Sequence, residues 1–113
     1  MKVWQLVGLI GAGLVACARE PLAVQSREGH TLRLRVGQEL DLTVGTVGPG
    51  AYQAPPSISS PVLRFLDESV VAPHLPSGPT QLFRFQAKAR GTALVVITHS
   101  GTNPTIQDTV IIQ

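Results

Sequence analysis

The chain holds few side chains able to do chemistry: one cysteine, three histidines, and a handful of hydroxyl and carboxyl groups set close together. Asp67 and Glu68 are the pair a hydrolase would need. They are adjacent, however, and neighbours along a strand point to opposite faces, so they cannot flank one substrate. Turn residues are the simpler reading. His30, His74 and His99 show no ligand spacing, and although His74 and His99 sit on loops that can meet at one end, solvated loop histidines are the simpler reading there. Ser57, Ser59 and Ser60 lie in a proline-rich stretch with no glycine elbow and no local histidine to act as base. The expectation is a non-enzyme with no metal and no cofactor. Cys17 is different, because it is the only cysteine, can form no internal disulfide, and as a free thiol would be a liability in an oxidising compartment.

The surroundings of Cys17 offer an answer. Met1-Lys2 is followed by an apolar stretch from Val3 to Val15 broken only by Gln5, then by small residues, which is the layout of an export signal. A membrane-spanning helix needs about 20 apolar residues, and the run ends at Ala18 before Arg19 and Glu20, so a permanent span is the weaker reading. The sequence Leu14-Val15-Ala16-Cys17 resembles the lipobox of bacterial lipoproteins, in which a leucine and a small residue position the thiol for diacylglycerol transfer and cleavage. The resemblance implies that Cys17 becomes the first mature residue and carries acyl chains. Two or three chains hold a protein durably where one does so only marginally. Ala18, in place of the aspartate associated with inner-membrane retention, favours the outer membrane of the cell envelope, on a face the sequence leaves open. The expected organisation is a leader over 1–16, the lipidated cysteine and a polar spacer over 17–29, and a folded domain over 30–113.

Roughly a hundred residues follow Cys17, enough for one domain with a modest core. The formal net charge is +2, and loss of Lys2 with the leader brings the domain closer still to neutral. Its arginines are scattered and not interleaved with aromatics, which excludes a nucleic-acid groove. Trp4 is the only tryptophan and lies in the leader, so Leu, Val, Ile and three phenylalanines must build the core.

Period-two alternation begins after Gly29. Leu32, Leu34 and Val36 alternate with Arg33 and Arg35, and Leu40, Leu42 and Val44 with Asp41 and Thr43, predicting two half-buried strands joined as a hairpin through Gly37-Gln38. Residues 45–61 are rich in Gly and Pro and are expected to form a functional loop, with room for a hidden strand only around Tyr52. Val62–Leu66 reads as a strand ending in a turn at Asp67-Glu68 that leads into Val70-Val71, and 72–79 as a second loop. Phe83, Phe85, Ala87 and Ala89 alternate with polar residues in a clear amphipathic strand. Ala93–Thr98 is apolar on both faces, as a central or covered strand would be. A third loop, 99–104, leads to a closing strand, Ile106–Ile112. With no helical period after the leader, the expectation is all-β: an immunoglobulin-like antiparallel β-sandwich of about seven strands.

From Leu63 to Thr98 the chain resembles the chagasin family of cysteine-peptidase inhibitors. Leu63–Ser69 is similar to that family's strand ending in an acidic turn, and Thr80–Ala87 followed by Gly91-Thr92 to its central stretch. The resemblance implies an immunoglobulin-like fold and three loops at one end wedged into a papain-like peptidase cleft without covalent chemistry. Here the loops are 45–57, 74–80 and 99–104. The candidate contact residues are Pro49, Gly50, Ala51 and Tyr52, then Ser77, Gly78 and Pro79, then His99, Ser100 and Gly101. Pro49 and Tyr52 correspond to the family's Asn-Pro-Thr-Thr-Gly-Tyr motif; its tryptophan and threonines have no counterpart, which removes rigid anchors of the kind that carry binding energy.

Two roles follow. The first is a lipid-anchored interaction module holding a protein or envelope polymer through its loop end, with Tyr52 exposed for contact or else packed over the end of the sandwich. The alternative is a cysteine-peptidase inhibitor of the chagasin type.

Overall fold

The computed structural model describes residues 20–25, 29–74 and 78–113. The leader 1–16, Cys17 and Ser77 lie outside the described residues. Among those described, eight strands form: β1 (Leu22–Gln25), β2 (Thr31–Leu34), β3 (Glu39–Gly45), β4 (Ser57–Ile58), β5 (Leu63–His74), β6 (Gly78–Ala87), β7 (Gly91–Ile97) and β8 (Ile106–Ile112). They make two four-stranded sheets in the orders β1-β3-β6-β5 and β2-β8-β7-β4. The fold is the all-β sandwich the alternation predicts. Pairing is antiparallel except at β1 with β3 and β2 with β8, which run parallel.

The inward residues follow the period-two pattern closely. Leu40, Leu42 and Val44 from β3 and Phe83 and Phe85 from β6 are fully buried, facing Ala93, Val95 and Ile97 from β7 and Val110 from β8. Phe65 packs on the same core, 5.6 Å from Phe85 and 6.2 Å from Phe83 between ring centroids. Apolar burial of this kind contributes about 25 cal/mol per Å² removed from water and is the main force closing the sandwich.

Several expectations are corrected. β2 and β3 are not a hairpin: they belong to different sheets, and the 35–38 turn carries the chain across the core. Alternation fixes which face of a strand is buried; it does not say whether two buried faces lie side by side or opposite each other. Gly37, at φ 91°, makes that crossing, its N–H donating to Ala87 O at 2.8 Å. Val36, expected on the buried face, is 38% exposed because β2 has ended at Leu34. The polar spacer is shorter than expected, since Leu22–Gln25 pairs with Leu40–Thr43 inside the first sheet.

The predicted turn at Asp67-Glu68 is not there. β5 runs on through it, with register shifts between Phe65 and Asp67 and between Val70 and Ala72. An inserted residue bends a strand without ending it. Most of the predicted 72–79 loop is the far arm of the β5–β6 hairpin, where Pro73 pairs with Pro79. Prolines are tolerated there because β5 is an edge strand and β6 has passed the end of its ladder with β3 at Thr80. Within the 45–61 loop the hidden strand is Ser57–Ile58, paired with Val95 and Val96 on the β7 edge.

Candidate functional site

β3 ends, β6 begins, β7 ends and β8 begins at the same end of the sandwich, so the connections after β3 and after β7 meet there beside the β5–β6 hairpin. The three predicted loops are thereby brought together. Tyr52 and His99 form an isolated antiparallel bridge, extended by Gln53 N–H to Thr98 O at 2.8 Å and Ser100 N–H to Ala51 O at 2.9 Å. Ser100 Oγ accepts from Ala51 N–H at 3.0 Å, and His99 Nδ1 accepts from Gly101 N–H at 2.8 Å. The hairpin arm joins through Thr46 N–H, which donates to Pro79 O at 2.9 Å.

The two long loops touch at their glycines. A Cβ on Gly50, whose φ is +103°, would lie 2.9 Å from His99 Cε1, and one on Gly101 would lie 2.6 Å from Pro49 O. These two positions need glycine for close approach, and Gly50 also for its left-handed backbone.

Pro49, Gly50, Ser100 and Gly101 are exposed at this end, Ala51, Pro79 and His99 are half-buried, and Gly78 opens β6. Tyr52 is only 6% exposed. Its hydroxyl donates to Pro104 O at 2.9 Å and its ring meets that of His99 edge-on at 4.8 Å. Of the two positions open to it, it takes the one packed over the sandwich end, shaping the loops from beneath.

Three residues that position the site carry no motif in the sequence. Gln81, buried in β6, exchanges two hydrogen bonds with the Tyr52 peptide. Glu68 accepts from Gln81 Nε2 at 2.9 Å. Asn103 spans the loops, accepting from Val47 N–H at 2.9 Å and donating to Val47 O at 2.7 Å. An alternating pattern hinted at Gln81 as a polar residue on the inward phase of β6.

No Asp, Glu, Lys or Arg occurs in 45–61, 69–81 or 91–107, so these segments offer shape, hydroxyls and backbone groups, with no formal charge outside their histidines. Among the described residues no group of His, Cys, Asp and Glu is arranged to hold a metal. The charged cluster is elsewhere, on the outer face of the first sheet. There Arg84 donates to Asp67 at 2.7 Å and to Glu39 at 3.2 Å. Arg84 holds the Glu39 carboxyl below its ordinary range. Burial, then the hydrogen bond with Glu39, pushes Asp41 up to about 6. Asp67 and Glu68 do point to opposite faces, toward Arg84 and Gln81.

The sandwich has the chagasin-like, immunoglobulin-like fold that the sequence resemblance implied. It is similar to the solved structure of the cysteine protease inhibitor EhICP2 from Entamoeba histolytica, with a TM-score of 0.64 at 16% identity, covering 85% of this chain and 98% of that one. It is also similar to the solution structure of amebosin, with a TM-score of 0.55 at 9% identity, covering 82% of this chain and 98% of that one. No family model matches the sequence, and no curated protein matches it. At these identities the likeness is one of fold.

Proposed function

We propose that this chain is a tethered, non-catalytic inhibitor of papain-like cysteine peptidases, acting through its loop end. The observation that carries the reading is the lacing of the 46–53 and 98–103 loops by backbone and side-chain hydrogen bonds, on a sandwich whose fold extends over 98% of a cysteine protease inhibitor. A wedge of this kind needs no nucleophile. It gains affinity because the loops lose little freedom on binding, having been ordered beforehand. With no tryptophan after Trp4, contact falls to Val47, which is 74% exposed, and to the Pro49-Gly50 backbone and Ser100.

Assay of the full chain, solubilised in detergent, against a panel of papain-like peptidases tests this. Reversible inhibition at or below micromolar concentration is expected, lost on deletion of 48–51. No inhibition at that concentration by a folded chain overturns it. The lack of a tryptophan anchor favours one other reading, an interaction module for a different envelope protein or polymer, and the same assay separates the two.

The tether is part of the proposal. The leader and the Leu14-Val15-Ala16-Cys17 pattern support lipid on Cys17 and an envelope location, with the outer membrane favoured by Ala18. Incorporation of labelled fatty acid into the wild type and not into Cys17→Ser is the expected result.

A further inference from the structure

We infer that the end of the sandwich opposite the loops is a docking face for an anionic lipid bilayer, which holds the loop end outward. Arg35 lies in the β2–β3 turn, Arg64 at the second position of β5, and Lys88 and Arg90 in the β6–β7 turn. All four are exposed. Backbone hydrogen bonds gather these turns at one end, Gly37 to Ala87 at 2.8 Å and Lys88 to Val62 at 2.7 Å. None of the four makes an ion pair among the described residues, whereas Arg84, in mid-sheet, makes two. The acidic side chains nearby are those of Glu20, which is exposed, and Glu39, which is engaged by Arg84. At the other end the segments 45–61, 69–81 and 91–107 carry no Lys, Arg, Asp or Glu, so those loops present no comparable cationic surface. Folding does not require that arrangement, and a negative plane at one end is what complements it.

The N-terminus supplies the plane. This inference rests on the proposed lipid at Cys17. The Gln38 carboxamide donates to Glu20 O and accepts from Arg35 N–H, both at 3.0 Å, which ties the first described residue to the basic end. Cys17 is three residues earlier, so even a fully extended chain puts it no more than about 11 Å away. On this reading the acyl chains enter the bilayer on the side of the domain that bears Arg35. Val36, 38% exposed in the same turn, adds an apolar contact. β3 separates this end from the loops by about 24 Å at 3.4 Å per residue. Acyl chains together with a basic patch make a two-signal anchor, and here the second signal sets orientation.

The test uses the full, processed chain reconstituted into phosphatidylcholine vesicles with and without phosphatidylglycerol, carrying a dye at Val36→Cys or at Val47→Cys and a headgroup nitroxide quencher in the lipid. Flotation reports the anchor, and quenching reports orientation. The expected result is strong quenching at 36 and little at 47 in the anionic vesicles. The difference should be lost in pure phosphatidylcholine, at about 1 M salt, and when Arg35, Arg64, Lys88 and Arg90 are all replaced by Gln, while flotation persists. A floating chain quenched equally at both positions, or indifferent to phosphatidylglycerol, overturns the docking face and leaves the anchor standing. A chain that does not float overturns both.

Discussion

Gln81 holds Tyr52 as a neighbouring strand would. The Tyr52 N–H donates to Gln81 Oε1 at 2.7 Å, Gln81 Nε2 donates back to Tyr52 O at 2.8 Å, and Nε2 also reaches Glu68 Oε2 at 2.9 Å. A side-chain amide presents the same donor and acceptor as a peptide, so it can satisfy a buried backbone segment where no strand is available. At 2% exposure the arrangement is shielded from water, and the Glu68 carboxylate makes one of its bonds charge-assisted. The loop that bears Pro49 and Gly50 is thus pinned to β6 from below.

Replacing Gln81 by Leu removes both partners from the Tyr52 peptide and costs about 2–3 kcal/mol, read as a lower urea midpoint at unchanged slope. Glu68→Gln, which keeps a hydrogen-bond acceptor, should lower the midpoint less. If Gln81→Leu proves as stable as the wild type, the peptide-mimic role is wrong.

Gly101→Ala brings a methyl group to within 2.6 Å of the Pro49 carbonyl, which is backbone and cannot swing aside. The two loops must part. A loss of about 1–2 kcal/mol in stability is expected, accompanied by at least a tenfold rise in the inhibition constant. Gly45→Ala, whose Cβ meets nothing within 4 Å, is the control and should leave the inhibition constant within twofold.

How much of this was legible depends on what kind of information each feature carries. Phe83, Phe85 and Ala87 announce their face because burial on a strand repeats every second residue, and they are buried as the pattern predicts. The loops could be located because Gly and Pro rule out interior strand, and their placement at one end was what the family resemblance implied. Sheet membership was not legible: Leu34 and Leu40 look like hairpin neighbours whether their strands pair or face each other across the core. The bulge at Leu66 was hidden because Asp67-Glu68 has the composition of a turn, and only pairing against Arg84 and Phe83 keeps the strand running. The inward phase of β6 marked Gln81 without naming what it meets, and Asn103 left no signal, since a polar residue has a partner only once the chain has folded.

The outer-face cluster gives stability a pH dependence of a definite sign. Asp41 titrates near 6 in the folded chain against an ordinary 3.8, because burial disfavours its charge and Glu39, held ionised by Arg84, leaves the shared proton to Asp41. The folded state therefore binds a proton that the unfolded state lacks across that interval. Stability from Asp41 is complete below 3.8 and is lost as pH rises through about 6. Glu39 has the opposite sign, its contribution being lost only as pH falls below 4.5. The urea midpoint should thus fall between pH 5 and 7 in the wild type relative to Asp41→Asn, the difference cancelling groups common to both chains. A wild-type midpoint that rises relative to Asp41→Asn over that range contradicts the assignment.

His99 does two things at once, and they can be separated. Its Nδ1 accepts the Gly101 N–H at 2.8 Å, closing the turn that presents Ser100, and its ring stands edge-on to Tyr52 at 4.8 Å. Asparagine keeps an acceptor within reach of the amide two residues on and loses the ring, whereas phenylalanine keeps the ring and loses the acceptor. Either change should cost about 1 kcal/mol. If the turn controls binding, His99→Asn retains inhibition and His99→Phe weakens it by about an order of magnitude, although the two are equally stable. Tyr52 is the only tyrosine and Trp4 the only tryptophan, so in the processed chain tyrosine emission reports on this end alone. That emission should change in His99→Asn, where the ring contact is gone, and stay near the wild type in His99→Phe. The reverse pattern of inhibition would mean that the ring contact, and not the turn, sets the shape the partner meets.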